Sequence, residues 1–168
     1  MTGLIPDSAQ WRELRPEIRG LIERFQQRAP VDLSGLARAL GLVVKAATLP
    51  PGKSGEIRPD GKDSFIIRVN RHDSLGRQRF TVAHEIAHFL LHRSLIGSGI
   101  SDDALYRSNQ SDRVEAEANR LASDIVMPSS LLENAVQVAK GIGVEDITGQ
   151  LAESFQVSPA AMKIKLGG

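Results

Sequence analysis

Residues 79–92 (RFTVAHEIAHFLLH) contain two histidines four positions apart, with a glutamate directly after the first. No proline or glycine interrupts this segment, so the pattern predicts one continuous helix. A helix turns by about 100° per residue, which places His84 and His88 one turn apart in height and only about 40° apart around the axis. Glu85 lies further round the same side. This spacing predicts that both imidazoles hold one metal ion and that Glu85 reaches a water molecule beside it.

The same helix is predicted to bury its polar side chains. They occupy one sector of about 100° and are Thr81, His84, Glu85, His88 and His92. Apolar residues cover most of the remaining circumference, and a helix that is apolar nearly all round is buried. Burying four ionisable groups is costly unless they are paired or bind a metal. His92 lies two turns, about 12 Å, from His84, so we predict that it supports the site without binding the same metal.

A site with two histidines needs at least one more protein ligand. The predicted helix 112–126 offers two glutamates. Glu115 lies at the edge of the apolar stripe of this helix, on the same side as Asn119, and is the predicted third ligand. Asn119 is placed to hydrogen-bond a ligand histidine and fix its tautomer. Glu117 is expected to face solvent, together with Arg113, Arg120 and Asp124.

Length and composition indicate one globular domain. We expect a single domain over 1–168, with a helical extension at 1–28 and a helix pair at 141–168. The 21 basic and 20 acidic residues nearly cancel, so no overall field favours nucleic acid or anionic lipid. The sequence shows neither a signal peptide nor a membrane-spanning run. It contains no cysteine, so any metal must be held by histidine and carboxylate. A cytoplasmic protein is expected, and its oligomeric state stays open.

Hydrophobic spacing predicts an α+β fold that is mainly helical. Strands are predicted at 42–46, 55–58 and 65–70, and their closeness in sequence indicates a small antiparallel sheet beside the two-histidine helix. Further helices are predicted at 11–27 (with Pro16 as the alternative start), 33–40, 112–126, 129–139, 146–155 and 158–166. The polar segment 94–111 is interpreted as a mobile loop. Tyr106 within it is a candidate to stabilise a transition-state oxyanion, with an ordinary loop tyrosine as the alternative.

Two blocks of the sequence resemble the ImmA/IrrE-type metallopeptidases. Residues 77–92 (RQRFTVAHEIAHFLLH) look like the family's RxRFTxAHExxHxxLH block, and residues 115–128 (EAEANRLASDIVMP) look like its ExxANxxAxxxxMP block. The resemblance implies a gluzincin-like zinc site with His84, His88 and Glu115 as ligands and Glu85 as the catalytic base. Mn²⁺ or another divalent ion is the alternative metal. The matches cover most of 30–166, whereas 1–28 carries no recognisable signal of the family.

The resemblance also implies a substrate, a helix-turn-helix transcriptional repressor whose cleavage releases genes for stress response or mobile-element excision. Many members adjoin an N-terminal repressor-like DNA-binding domain, for which this chain has no room, so a stand-alone peptidase domain is expected. An exposed edge strand and the segment 94–111 are the candidate elements for holding an extended peptide. The alternative is a regulatory module that controls a repressor or toxin by contact, without cleavage.

Direct DNA binding is a third interpretation, because the last two predicted helices have helix-turn-helix spacing. Residues 141–168 hold two lysines against three acidic residues, a balance of −1. Phosphate contacts require a basic face. We therefore predict that these helices pack against the domain and that the protein binds neither nucleic acid nor a membrane directly.

Overall fold

The computed structural model describes residues 5–61, 63–98 and 109–168. In chain order the elements are α1 (Ala9–Glu13), α2 (Pro16–Glu23), α3 (Leu33–Ala39), β1 (Leu42–Ala47), β2 (Gly55–Pro59), β3 (Phe65–Asn70), α4 (Leu75–Leu91), a 3-10 helix (Arg93–Ser98), α5 (Asn109–Val126), α6 (Ser129–Gly141), α7 (Ile147–Phe155) and α8 (Pro159–Lys165). The fold is α+β and mainly helical, as predicted. Among the described residues, no helix combines the length and apolar character that crossing a membrane requires.

The predicted helix 11–27 is two helices separated at Pro16. The hydroxyl of Ser8 accepts a hydrogen bond from the backbone N–H of Trp11 at 3.1 Å and so begins α1. Leu14 and Arg15 are extended, because the residue before a proline avoids the helical region. Pro16 then occupies the first position of α2, where its missing N–H breaks no intrahelical hydrogen bond.

The sheet is mixed, whereas the sequence predicted an antiparallel one. Its strand order is β1-β3-β2, with β2 antiparallel to β3 and β1 parallel to β3. A short turn joins β2 to β3, in which the N–H of Asp60 donates to the carbonyl of Ser64 at 2.9 Å. After β1, in contrast, the chain crosses to the far side of β3 before β2 begins. The antiparallel prediction was therefore right for β2 and wrong for β1, because closeness in sequence does not specify which edge of β3 a strand joins.

Helix α4 lies between the sheet and α5, and packs against both. It begins at Ser74, whose hydroxyl accepts from the N–H of Arg77, and ends at His92, whose N–H donates to the carbonyl of His88 at 2.7 Å. The stripe that packs α5 into the core is the predicted one, namely Val114, Ala118, Leu121, Ala122 and Ile125, all at most 2% exposed. This packing brings the polar sector of α4 against α5.

Both ends of the chain are held against α5 by Asp124, which is 3% exposed. Its carboxylate accepts from the hydroxyl and the N–H of Ser8, at 2.5 and 3.0 Å, and pairs with the ammonium of Lys165 at 2.5 Å. The side chain of Gln26 donates to the carbonyls of Asp124 and Ile125. The prediction that Asp124 faces solvent was wrong, because the N-terminal segment and α8 cover this side of the helix.

Candidate metal centre

Three side chains meet where α4 crosses α5. His84 Nε2 lies 2.9 Å from Glu115 Oε2, His88 Nε2 lies 3.0 Å from Glu115 Oε1, and the two Nε2 atoms are 3.1 Å apart. Ligand atoms about 2.0–2.2 Å from a tetrahedral ion are separated by about 3.4 Å. The observed spacing is close to that value, and imidazole nitrogens with a carboxylate are a donor set that binds divalent ions. The residues present therefore fit a single divalent metal ion.

The electrostatics of His88 and Glu115 favour the states that bind a metal, whereas those of His84 favour protonation. Burial lowers the pKa of His88, and the hydrogen bond to Glu115 does not offset this effect, so its neutral form is favoured. Burial alone would raise the pKa of Glu115, but hydrogen bonds with His84 and His88 outweigh burial and bring this pKa to about 2. Burial also opposes protonation of His84, but Glu115, Glu85 and Asn119 raise its pKa overall. Of the three groups, His84 is the one at which a proton competes most with a metal ion.

Asn119 contacts the other nitrogen of His84. Its Oδ1 lies 2.8 Å from His84 Nδ1. A carbonyl oxygen only accepts hydrogen bonds, so His84 Nδ1 carries a hydrogen, and a neutral His84 has its lone pair on Nε2, on the side of Glu115. Asn119 follows Glu115 by one helical turn, which is why a position on the helix surface was enough to single it out.

Glu85 lines a cleft of about 510 Å³ beside these residues and is 4% exposed. Ligand-capable atoms of His84, Glu85 and His88 lie within 4.8 Å of one another. The cleft is bounded by the start of β2, by α4 and α5, and by the first turn of α8; its lining includes Ser54, Gly55, Arg77, Phe80, Thr81, Asn119, Ser158 and Ala161. The base predicted from sequence and two of the predicted ligands, His84 and Glu115, thus line one cleft, and the third, His88, contacts both of these ligands from a buried position.

Gly55 was not singled out from the sequence, but it forms part of this cleft. A Cβ at Gly55 would lie 2.4 Å from Thr81 Cγ2, 2.9 Å from the carbonyl oxygen of Arg68 and 3.6 Å from Glu85 Oε2. Only glycine lets the first residue of β2 pass this close to α4. The one available signal was a glycine at the start of a strand, which often marks a close approach of the backbone.

His92 and Glu117 lie behind the cleft. His92 is 7% exposed; its Nδ1 is 3.0 Å from His88 Nδ1, and its Nε2 is 2.9 Å from Glu117 Oε1. The expectation that Glu117 faces solvent was wrong, since only 28% of its side chain is exposed. Glu115 and Glu117 are two residues apart, so they lie on opposite edges of the buried stripe of α5. The helix projection identified the edge that carries Glu115. It could not show that His92 covers the edge that carries Glu117.

The predicted loop 94–111 has structured ends. The 3-10 helix Arg93–Ser98 begins it, with Ile96 fully buried and the helix packed against β2, and α5 already begins at Asn109. Tyr106, the candidate for oxyanion stabilisation, lies outside the described residues.

Comparison with known proteins adds three findings. A peptidase family model described as the IrrE N-terminal-like domain matches residues 37–167. Metallopeptidase ImmA of Bacillus subtilis (strain 168) is 27% identical over 104 residues, which are 62% of this chain and 56% of that protein, so the chain matches about half the length of this relative. A solved structure, Mycobacterium tuberculosis transcriptional regulator, is similar with a TM-score of 0.56 at 18% identity, over 89% of this chain and 46% of that one. At this identity the last likeness shows a shared fold.

Proposed function

This chain belongs to the family of IrrE N-terminal-like peptidase domains, and on that premise we propose that it is a zinc-dependent metallopeptidase that makes one site-specific cut in a helix-turn-helix transcriptional repressor. The observation that carries the proposal is the convergence of His84, His88 and Glu115, with the buried Glu85 in the cleft that His84 and Glu115 also line. The relative named Metallopeptidase ImmA supports the peptidase activity. The transcriptional regulator of similar fold supports a link to transcription.

We assign His84, His88 and Glu115 as the metal ligands. Glu115 is preferred over Glu85 as the third ligand, because one carboxylate oxygen of Glu115 contacts the Nε2 atom of each histidine. Two imidazoles and a single carboxylate suit zinc, whereas Mn²⁺ prefers a larger share of oxygen ligands. When bound, zinc supplies Lewis-acid chemistry, which polarises a peptide carbonyl and lowers the pKa of water.

Glu85 is the proposed general base. Its carboxylate takes a proton from water as the water oxygen forms a bond to the scissile carbonyl carbon. The same carboxyl group then gives that proton to the amide nitrogen, so the C–N bond breaks and a neutral amine leaves. Burial of Glu85 against Gly55 and Thr81 holds the carboxylate at the wall of the cleft.

The position of β2 supports an extended substrate segment. β2 is an edge strand, and its first residue, Gly55, lies beside Glu85. A peptide that added to this edge by backbone hydrogen bonds would have a peptide bond close to that carboxylate. We therefore propose that the repressor is cut in a segment that can become extended, and that residues 1–168 act together as one peptidase domain.

The test is to incubate the zinc-loaded protein with the helix-turn-helix repressor encoded beside its gene and to identify fragments by mass spectrometry. We expect one cut, which a chelator abolishes and which Glu85→Gln removes while leaving zinc bound. A repressor that binds stably but stays intact would refute the peptidase proposal in favour of control by contact. A fragment that Glu85→Gln still produces would refute the assignment of the base.

A further inference from the structure

His92 is a buried histidine that does not face the metal cleft, and each of its ring nitrogens has one partner. Nδ1 lies 3.0 Å from His88 Nδ1, and Nε2 lies 2.9 Å from Glu117 Oε1. These contacts form a chain from Glu117 through His92 to His88, whose Nε2 faces Glu115. We propose that Glu117, acting through His92, is a positioning residue that sets the tautomer and orientation of the ligand His88. The inference rests on the proposed metal site and is independent of the substrate.

The donor in each contact between Glu117 and His88 follows from the number of hydrogens that each group carries. A carboxylate only accepts hydrogen bonds, so the hydrogen in the contact with Glu117 belongs to His92 Nε2. A neutral imidazole carries one N–H, so His92 Nδ1 has a lone pair and accepts from His88 Nδ1–H. In the metal-bound state His88 Nε2 is then left with a lone pair directed toward Glu115, in place of the hydrogen bond between His88 and Glu115. A lone pair that faces a carboxylate oxygen at 3.0 Å requires a cation between them, which is what a metal site supplies.

The placement of residues on α5 explains why His88 needs an intermediate and His84 does not. Asn119 lies on the same edge of α5 as Glu115, so it reaches His84 Nδ1 directly, at 2.8 Å. His88 is 1% exposed, and the partner of its Nδ1 is His92, at 3.0 Å. His92 lies between His88 and Glu117 and contacts both side chains, and Glu117 is on the opposite edge of the buried stripe of α5. Helix α5 therefore supplies both the proposed ligand carboxylate, Glu115, and the acceptor for His92, Glu117.

Outer partners of metal-binding histidines typically account for 10–100-fold in metal affinity. Glu117→Ala removes the acceptor, so His92 loses its preferred tautomer and His88 is free to turn the wrong nitrogen toward the metal. We expect the zinc dissociation constant to rise about 10–100-fold. Glu117→Gln retains a carbonyl oxygen that can accept from His92 Nε2, so it should rescue most of the affinity. Asp112→Ala removes an exposed carboxylate from the same helix and is the matched control, with no change expected.

The experiment measures zinc affinity by competition with a chromophoric chelator for the wild type and these three variants. It is combined with ¹H–¹⁵N spectra of the histidine rings in the zinc-loaded protein. We expect a protonated Nδ1 in His88 and a protonated Nε2 in His92, retained in Glu117→Gln and lost or mixed in Glu117→Ala.

A Glu117→Ala variant with wild-type zinc affinity, or a wild-type His88 that is protonated on Nε2, would overturn the inference. Both results leave zinc binding and cleavage intact, so they do not touch the proposed function. Conversely, a protein that binds zinc with the expected ring protons but cuts no repressor supports the inference while the proposed activity fails. A wild-type protein that binds no zinc overturns both.

Discussion

Two clusters of buried ionisable groups lie on α5, and they are neutralised in different ways. The cluster around Asp124 contains the ammonium of Lys165 and the hydroxyl of Ser8, both at 2.5 Å. The cluster around Glu115 contains two imidazoles, and within the described part of the chain neither a lysine nor an arginine pairs with this carboxylate. The first cluster is complete within the protein, whereas the second lacks a permanent cation.

The difference separates a structural ion pair from a candidate metal site. Burying a carboxylate is costly unless an opposite charge and hydrogen bonds offset the lost hydration. Lys165 does so for Asp124 at every pH at which a lysine is charged. Neutral imidazoles carry no charge, so the cluster around Glu115 contains an opposite charge only when a proton or a metal ion binds there. Changes to the first cluster should therefore affect folding, and changes to the second should affect metal binding and turnover.

The largest effect is expected from Glu115→Ala. Removing one of three ligands should weaken zinc binding by more than about 100-fold, beyond the range for outer partners, and should abolish turnover. The fold should persist, because the substitution removes a buried charge. Metal content by atomic emission and circular dichroism measure the two properties. Glu85→Gln is the matched variant, with zinc retained and turnover reduced about 10²–10⁴-fold. Stoichiometric zinc in Glu115→Ala would remove Glu115 from the ligand set.

Lys165→Met should lower the stability of the fold and leave zinc affinity nearly unchanged, the opposite of Glu115→Ala. It leaves Asp124 buried without its cation, so the free energy of unfolding should fall by about 3–5 kcal/mol. Zinc affinity of the folded protein should stay within a few-fold of the wild type. Denaturant unfolding measures the first quantity, and Lys163→Met, an exposed lysine on the same helix, is the control. Equal stability of the two variants would show that the Asp124 cluster contributes little.

Adding zinc should stabilise the wild type through the second cluster alone. A ligand that binds only the folded state stabilises it by about 2.7 kcal/mol at 100 times its dissociation constant. Lys165→Met should gain the same increment, whereas Glu115→Ala should gain none. Unfolding with and without zinc tests this in all three proteins. An increment that Glu115→Ala retains would mean that zinc binds elsewhere.

The smallest effect is expected at the wall of the cleft. In Gly55→Ala the new methyl group would lie 2.4 Å from Thr81 Cγ2 and 2.9 Å from the carbonyl oxygen of Arg68, so β2 must shift away from α4. Overpacking of this kind costs about 1–3 kcal/mol, and turnover should fall because the edge of β2, the proposed binding site for peptide, moves relative to Glu85. Among the described residues, a Cβ at Gly20 would have no neighbour within 4 Å apart from the backbone around it in α2, so Gly20→Ala should be neutral or stabilising by up to about 1 kcal/mol. If both variants behave alike, the close approach of β2 is unimportant.

Features that depend on one helix could be predicted well. The shared face of His84 and His88, the buried stripe of α5 and the choice of Glu115 with Asn119 all follow from a rotation of 100° per residue. Features that depend on a second element could not. Glu117 and Asp124 were placed in solvent because a helix projection shows where apolar residues lie and does not show what covers the remaining surface.

The sheet and the cleft show the same limit. Alternation of side chains along a strand is the same for parallel and antiparallel partners, so the direction of β1 relative to β3 was not available from the pattern. Gly55 was overlooked because its role is to leave space for Thr81, a residue 26 positions away. The only local sign of such a contact is a glycine at the start of a strand.

Sequence alone determined which side chains are candidates for metal binding and for the base, since helical periodicity and two motif blocks place them together. Tertiary structure decided which charges are compensated. Lys165, Ser8 and His92 reach α5 from other parts of the chain, and desolvation is a property of the packed protein. Only the folded chain therefore distinguishes the complete ion pair of Asp124 from Glu115, the candidate metal ligand.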